Sequence, residues 1–351
     1  MEIKRVTLRD VAEKLKVSHT TVAMALRNHH TISLKRRVEV RQMAEKMGYC
    51  PDPFLSALAA YRKRIGPSKF KGLVAWARHW RQPSRLQRKL KYEADLWRGA
   101  SLAAGNLGFR LEEILWEEGC SGKRFEQILL ARGVRGVLIP PHDLDPNWTD
   151  FDWSKFSIVR FSLSVSRPDS NLVTVDHFRA MIMAVGKIKE YGYQRIGLVI
   201  GEKYNRRLEG TTLGGFLSAQ ELFKLRPALP PLKTDYGTRS AENWQQQKAA
   251  LHKWLKRHTP DAILTTDTET PDLLQELGYD VPRDIAVAGT NIDDIRVEAG
   301  IDQHSQAIGR IAMETLAKQL NLNECGEPAD PARILIEGRW QDGRSLPSKR
   351  L

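Results

Sequence analysis

A chain of 351 residues exceeds what one ordinary hydrophobic core organises, so two or three domains are expected. The formal charge of +13 is unevenly placed: residues 1–66 carry a net +8, residues 67–100 a net +7, and the remainder a net −2. That asymmetry excludes an evenly basic surface and implies an N-terminal module that meets a polyanion, followed by a near-neutral globular body.

The first fifty residues read as three short helices. Thr7 caps the first, with Asp10 as capping-box partner and Leu8, Val11, Ala12 and Leu15 as the apolar stripe. Ser18 caps the second, whose buried face is Val22, Ala25 and Leu26. Ser33 caps the third, with Val38, Val40, Met43, Ala44 and Met47 apolar and Gly48 as the stop; Arg36 stands where a capping-box acid would go, so that cap is half built. Two helices joined by a tight turn and followed by a third make a helix-turn-helix. Pro51 and Pro53 then start an extended stretch, "FLSALAAYRKR" gives a short helix, and Gly66 and Pro67 mark a linker.

From Lys71 onward apolar runs alternate with helical patterns. Strands are expected at "GLVAWA", "FRLEEILW", "GVLIPP", "SIVRFSL", "VTVDH", "RIGLVIG", "AILTTD" and "IAVAGT". Helices are expected around 96–107, 125–131, 180–191, 215–223, 244–257, 270–277 and 306–320. Repeated βα units of this length imply parallel, helix-covered sheets, here two Rossmann-like lobes with a cleft at the strands' carboxyl ends.

Three scattered cysteines, Cys50, Cys120 and Cys325, have no metal-ligand spacing and fit a reducing compartment. The N-terminus has no signal-like apolar region, and no run of 18 apolar residues occurs, so a cytoplasmic protein without membrane contact is expected. The adjacent His29 and His30 lack a third ligand at zinc spacing and read as a turn. No GxSxG, HExxH, P-loop or strand-linked GxGxxG appears, so neither a catalytic residue nor a cofactor is expected.

The stretches "VTLRDVAEKLKVSHTTVAMAL", "TISLKRRVEVRQMAEKMGYCPDP", "RGVRGVLIPP", "YGYQRIGLVIG", "LGYDVPRDIAVAGTNIDD" and "IDQHSQAIGRIAMETL" together resemble the LacI/GalR (lactose-repressor) family of bacterial transcription regulators. The resemblance implies an all-α helix-turn-helix DNA-binding domain over 1–50 and a hinge helix and linker over 51–66. An α/β periplasmic-binding-protein-like body over 67–345 follows, with lobe 1 at about 67–161 and 291–322 and lobe 2 at about 162–290 and 323–345. It further implies a homodimer on a near-palindromic double-stranded DNA operator, with a leucine, here Leu58, wedged into the minor groove.

His19, Thr20 and Met24 match the family's base-reading positions; Thr21, a hydroxyl near the helix N-terminus, reads as a phosphate contact, and Arg27, where the family commonly has asparagine, reaches a phosphate or a base. Thr7, Ser18 and Asn28 complete the expected DNA-facing set. With methionine at 24 the bidentate arginine–guanine contact is lost, which shifts the reading towards thymine methyls and His19.

The family also implies a small-molecule effector in the interlobe cleft. Ser162, Thr212, Asp267 and Asn291 stand at or near the places where sugar-binding members carry an aspartate, an arginine, an asparagine or aspartate, and an aspartate. Loss of the first aspartate and the arginine points away from a simple sugar. Trp76, Arg78 and Trp80, within a basic run, read either as a site for an anionic or stacking ligand or as a solvated or dimer-facing surface. Gln303 matches a structural glutamine near the lobe crossover, and Asp293 and Asp294 read as ligand-contacting or capping acids. A receptor sharing only the body's fold would carry an export signal and lack the N-terminal motif; an activator on this same fold is the other alternative to a repressor.

Overall fold

The computed structural model describes residues 7–26, 29, 31–47, 70–79, 91–142, 148–234 and 241–349. The expected hinge with Leu58, together with Arg27, Asn28, Trp80 and the run up to residue 90, lies outside the described residues.

Three helices open the chain: α1 (Leu8–Lys14), α2 (His19–Leu26) and α3 (Leu34–Lys46). Val11, Ala12, Val22, Ala25, Val40 and Ala44 form their shared core, with Leu8, Leu15, Leu26, Met43 and Met47 packed around it. Fully burying a valine such as Val22 contributes on the order of 1.5 kcal/mol or more, so a handful of such residues carries this small module. Val38 departs from expectation: it is 46 % exposed, because α3 turns only its Val40–Ala44 side inward.

The body holds two six-stranded sheets. The first contains β1 (Gly72–His79), β2 (Phe109–Trp116), β3 (Gly136–Ile139), β4 (Ser157–Phe161), β5 (Asn171–Val175) and β11 (Arg333–Ile336), in the order β11-β5-β4-β3-β1-β2 and parallel throughout. The second contains β6 (Ile196–Gly201), β7 (Leu232–Thr234), β8 (Ala262–Thr265), β9 (Ala286–Gly289), β10 (Gly300–Asp302) and β12 (Arg339–Gln341), in the order β12-β10-β9-β8-β6-β7. Only β10 and β12 pair antiparallel among the described strands. Each sheet reverses its strand order beside its first strand, which opens a crevice at the carboxyl ends.

Helices α4 (Lys91–Leu107), α5 (Gly122–Ala131) and α11 (Ser305–Leu322) belong to the first lobe. Helices α6 (His177–Glu190), α7 (Glu202–Arg207), α8 (Thr211–Leu222), α9 (Ala241–His258) and α10 (Thr270–Glu276) belong to the second. Where α4 crosses α11, Gly99 and Gly309 let the backbones touch: a Cβ on Gly99 would lie 1.9 Å from the Gln306 carbonyl oxygen, and one on Gly309 2.0 Å from that of Leu96.

The lobe boundaries differ from those expected. β5 pairs with β4 and β11 with β5, so residues 171–175 and 333–336 belong to the first lobe, while β10 places 300–302 in the second. The chain crosses near 176, 303 and 337 rather than at 161, 290 and 322, because each crossing is a short connection between a strand and a helix or between strands of the two sheets, with no change in composition to mark it. No described helix is long and apolar enough to cross a membrane.

Candidate functional site

The N-terminal helical module is built on two helix caps. The Thr7 hydroxyl donates to the Asp10 carboxylate at 2.7 Å, Thr7 N–H donates to the same oxygen at 2.6 Å, and Asp10 N–H reaches the Thr7 hydroxyl at 3.4 Å, completing the capping box. Lys16 takes a left-handed conformation (φ +52°) in the turn, and Val17 N–H returns to the Ala12 carbonyl at 3.0 Å. The Ser18 hydroxyl then accepts the Thr21 N–H at 3.0 Å and pairs with the Thr21 hydroxyl at 2.8 Å. With Val22 and Ala25 turned inward, Ser18, His19 and Thr20 are exposed while Ala23 and Met24 are half-buried beside them. The helix carries no charged residue in its first or last turn. Thr21 thus has a local role its phosphate reading did not include. In the exit turn, His29 Nδ1 and the Thr31 hydroxyl pair at 2.8 Å.

Between the lobes lies a cavity of ≈ 230 Å³. Its first-lobe wall includes Tyr92 and Glu93 from the start of α4 and Ser162 beyond β4; Gln303 stands at a crossover. Its second-lobe wall includes Tyr204 and Arg207 from α7, Thr266 and Thr268 beyond β8, and Asn291 and Asp294 beyond β9. These are the carboxyl ends of both sheets, the default ligand position for this architecture.

Among the described lining residues the charged groups are two carboxylates, Glu93 and Asp294, and one guanidinium, Arg207. Burial lowers the Arg207 pKa and raises that of Tyr92, which Asp294 raises further; burial pushes Tyr204 up to about 12 and drops His177, at the crossover, to about 4. Both phenols and this imidazole are therefore neutral hydrogen-bonding groups at neutral pH. Asn291 donates to Asp294 at 3.0 Å and accepts Asp293 N–H at 3.1 Å, and Gln303 donates to the Thr290 carbonyl at 3.0 Å.

Of the effector residues expected from sequence, Ser162 and Asn291 line this cavity. Asp267 sits deeper, accepting hydroxyl hydrogens from Thr234 at 2.7 Å and Thr266 at 3.0 Å, so it organises the wall behind its neighbours Thr266 and Thr268. Thr212 is 1 % exposed inside the first turn of α8 and stays out of the lining.

Trp76 and Arg78 are corrections. β1 is a central strand buried on both faces, so Trp76 is fully enclosed against Trp97 and Phe161, and Arg78 pairs with Glu113 of the neighbouring strand at 2.6 Å. Neither reaches the cavity. Tyr92, Glu93, Tyr204 and Arg207 were missed. Two signals pointed to them: Tyr204 and Arg207 lie three apart just beyond a strand's carboxyl end, and Glu93 interrupts the inward stripe Leu96, Ala100, Ala103.

An exposed, capped second helix ahead of a two-lobed body with a cavity between its lobes is the arrangement of a class: DNA-binding transcription regulators. Two family models match the chain, bacterial regulatory proteins of the lacI family over residues 7–52 and a periplasmic binding protein-like domain over residues 185–346. The HTH-type transcriptional repressor CytR of Escherichia coli strain K12 is 23 % identical over 356 residues, covering 97 % of this chain and 97 % of its own. The transcriptional regulator CelR–cellobiose complex shares the fold with a TM-score of 0.58 at 19 % identity, covering 97 % of this chain and 100 % of that one. The lac repressor dimer bound to operator and the anti-inducer ONPF does so with a TM-score of 0.54 at 20 % identity, covering 98 % and 100 %. The chain thus carries a lacI-family regulatory domain over residues 7–52 ahead of a periplasmic binding protein-like domain over 185–346, the make-up of a DNA-binding transcriptional regulator.

Proposed function

We propose that the protein is a cytoplasmic, dimeric repressor whose hold on a near-palindromic operator is set by a small molecule in the interlobe cavity. The exposed face of α2 supports the DNA half of this reading: His19 and Thr20 read base edges, Met24 and the threonine methyls contact thymine methyls, and Ser18, Thr21 and Thr7 face phosphates. Arg27 and Asn28 add phosphate contacts, and Leu58 opens the base step between half-sites.

The observation that carries the effector half is the cavity's charge set. Glu93 and Arg207 supply, from other positions, the carboxylate and guanidinium whose absence at Ser162 and Thr212 argued against a sugar. Together with Asp294, Asn291 and two neutral tyrosines they suit a neutral polyhydroxyl molecule of about monosaccharide size, held by paired hydrogen bonds and ring stacking. The buried position of Arg78 removes the main support for an anionic ligand there.

Calorimetry against a panel of neutral pentoses, hexoses, disaccharides and nucleosides tests the assignment. One class is expected to bind, and Arg207→Ala to weaken that binding by about tenfold or more, the cost of a lost charge-assisted pair. Binding unchanged in Arg207→Ala and in Glu93→Gln would move the effector site elsewhere.

A further inference from the structure

Among the described residues two ion pairs join the lobes: Arg333 of β11 with Glu209 at 3.3 Å, both exposed, and a second one at the cavity wall. Lys91, the first residue of α4, belongs to the first lobe, and its ammonium donates to the Asp293 carboxylate on the loop after β9, in the second. The two ends are unequally exposed: 66 % of the Lys91 side chain is in solvent but only 6 % of Asp293. Asp293 also receives the Ser305 hydroxyl at 3.4 Å from the start of α11, and Tyr92 N–H donates to Asp294 at 3.4 Å. The second lobe's loop is thus held by first-lobe groups at adjacent residues. Lys91 already touches another acid, Asp95, one turn along its own helix at 3.8 Å, and Asp95 is itself held by Arg98 and Gln306 at 3.0 Å. Asp302, on β10, adds attraction from further away.

We propose that Lys91 and Asp293 form an interlobe latch that sets how readily the effector cavity opens, with Asp95 as the partner Lys91 keeps when the latch parts. Closing brings Asp293 out of water against the ammonium. Opening returns Asp293 to water while Lys91 falls back on Asp95, so the two settings differ by little and a modest ligand shifts them. The proposal deepens the effector reading, on which its purpose rests, by naming what the effector works against.

The test is made on ligand-free, full-length protein. Spin labels at Glu118→Cys and Lys253→Cys, both exposed and one on each lobe, report the interlobe distance by double electron–electron resonance, with native cysteines changed to serine and labelled chain diluted into unlabelled. Lys91→Met and Asp293→Asn are each expected to raise the ratio of the longer to the shorter distance by about two- to fivefold, the range for a pair with one exposed end. The double variant is expected to rise no further than either single, and Lys91→Arg to keep the native distribution. Raising salt is expected to favour the longer distance more in the native chain than in Lys91→Met, since the exposed Arg333–Glu209 pair that also joins the lobes is present in both.

Unchanged distributions in both single variants, a salt response equal in the native chain and Lys91→Met, or a double variant equal to the product of the singles would each overturn the latch. Because every arm lacks ligand, failure to find an effector leaves this result untouched, and a failed latch leaves the Arg207 experiment standing.

Discussion

Replacing Ser18 separates two things the recognition helix needs, a closed N-terminus and contact with DNA. In Ser18→Ala the Thr21 N–H loses its acceptor at 3.0 Å and the Thr21 hydroxyl loses its partner at 2.8 Å. Because this end of α2 is exposed, water replaces the lost acceptor, and the cost falls at about 1 kcal/mol rather than 2. That is about a fivefold rise in the open population of the helix, read by hydrogen exchange at the amides of residues 19–26 in the full chain. Ser18→Asp keeps an acceptor and adds a favourable charge at the helix N-terminus, so exchange stays near the native rate. In the proposed docking its carboxylate would face phosphate, so operator affinity is expected to fall by about tenfold at low salt, less as salt rises. Native exchange in Ser18→Ala would refute the cap; native affinity in Ser18→Asp would refute the placement of this helix end against the DNA backbone.

Other consequences follow from the body. Gly309→Ala forces a methyl to within 2.0 Å of the Leu96 carbonyl oxygen and is expected to cost at least about 1–3 kcal/mol, seen as a lower denaturation midpoint in urea, whereas Gly105→Ala, with open space around it, is expected to be neutral or stabilising. His177 has a pKa lowered to about 4 by burial, against an ordinary 6.5, so its contribution to stability is complete above 6.5 and is lost as pH falls towards 4. Thermal unfolding between pH 7 and 4 should show a loss that His177→Gln reduces. Glu298, held to about 2 by Arg344, keeps the C-terminal segment attached through the same range and loses that attachment only as pH falls from the ordinary carboxylate range towards 2.

What could be read from sequence depended on length and periodicity. The caps at Thr7, Ser18 and Ser33 and the main helices and strands were legible because their signals extend over whole turns or alternate over several residues. β7, β10 and β12 are three residues each, too short for either period, and β11 is defined by its pairing with β5 rather than by its own pattern. The lobe crossings failed for the same reason, since pairing decides to which sheet a strand belongs. Trp76 and Arg78 read as mouth residues because a buried arginine on a central strand is rare; its pairing with Glu113 on the neighbouring strand is a long-range contact that no local pattern announces. Arg207 was hidden in the polar stretch "EKYNRRLEG", which reads as loop until α7 turns Tyr204 and Arg207 into one wall.

The central claim is that α2 reads a specific DNA sequence without an arginine or asparagine at its start. Selection of bound sites from random duplex DNA by the full-length chain tests it most directly, with the recovered site then remade with uracil for thymine. A two-fold symmetric site is expected, in which removing thymine methyls weakens binding at positions that Met24→Ala no longer distinguishes. Recovery of no enriched sequence, or of a symmetric site indifferent to both changes, would contradict this account of how the helix reads DNA.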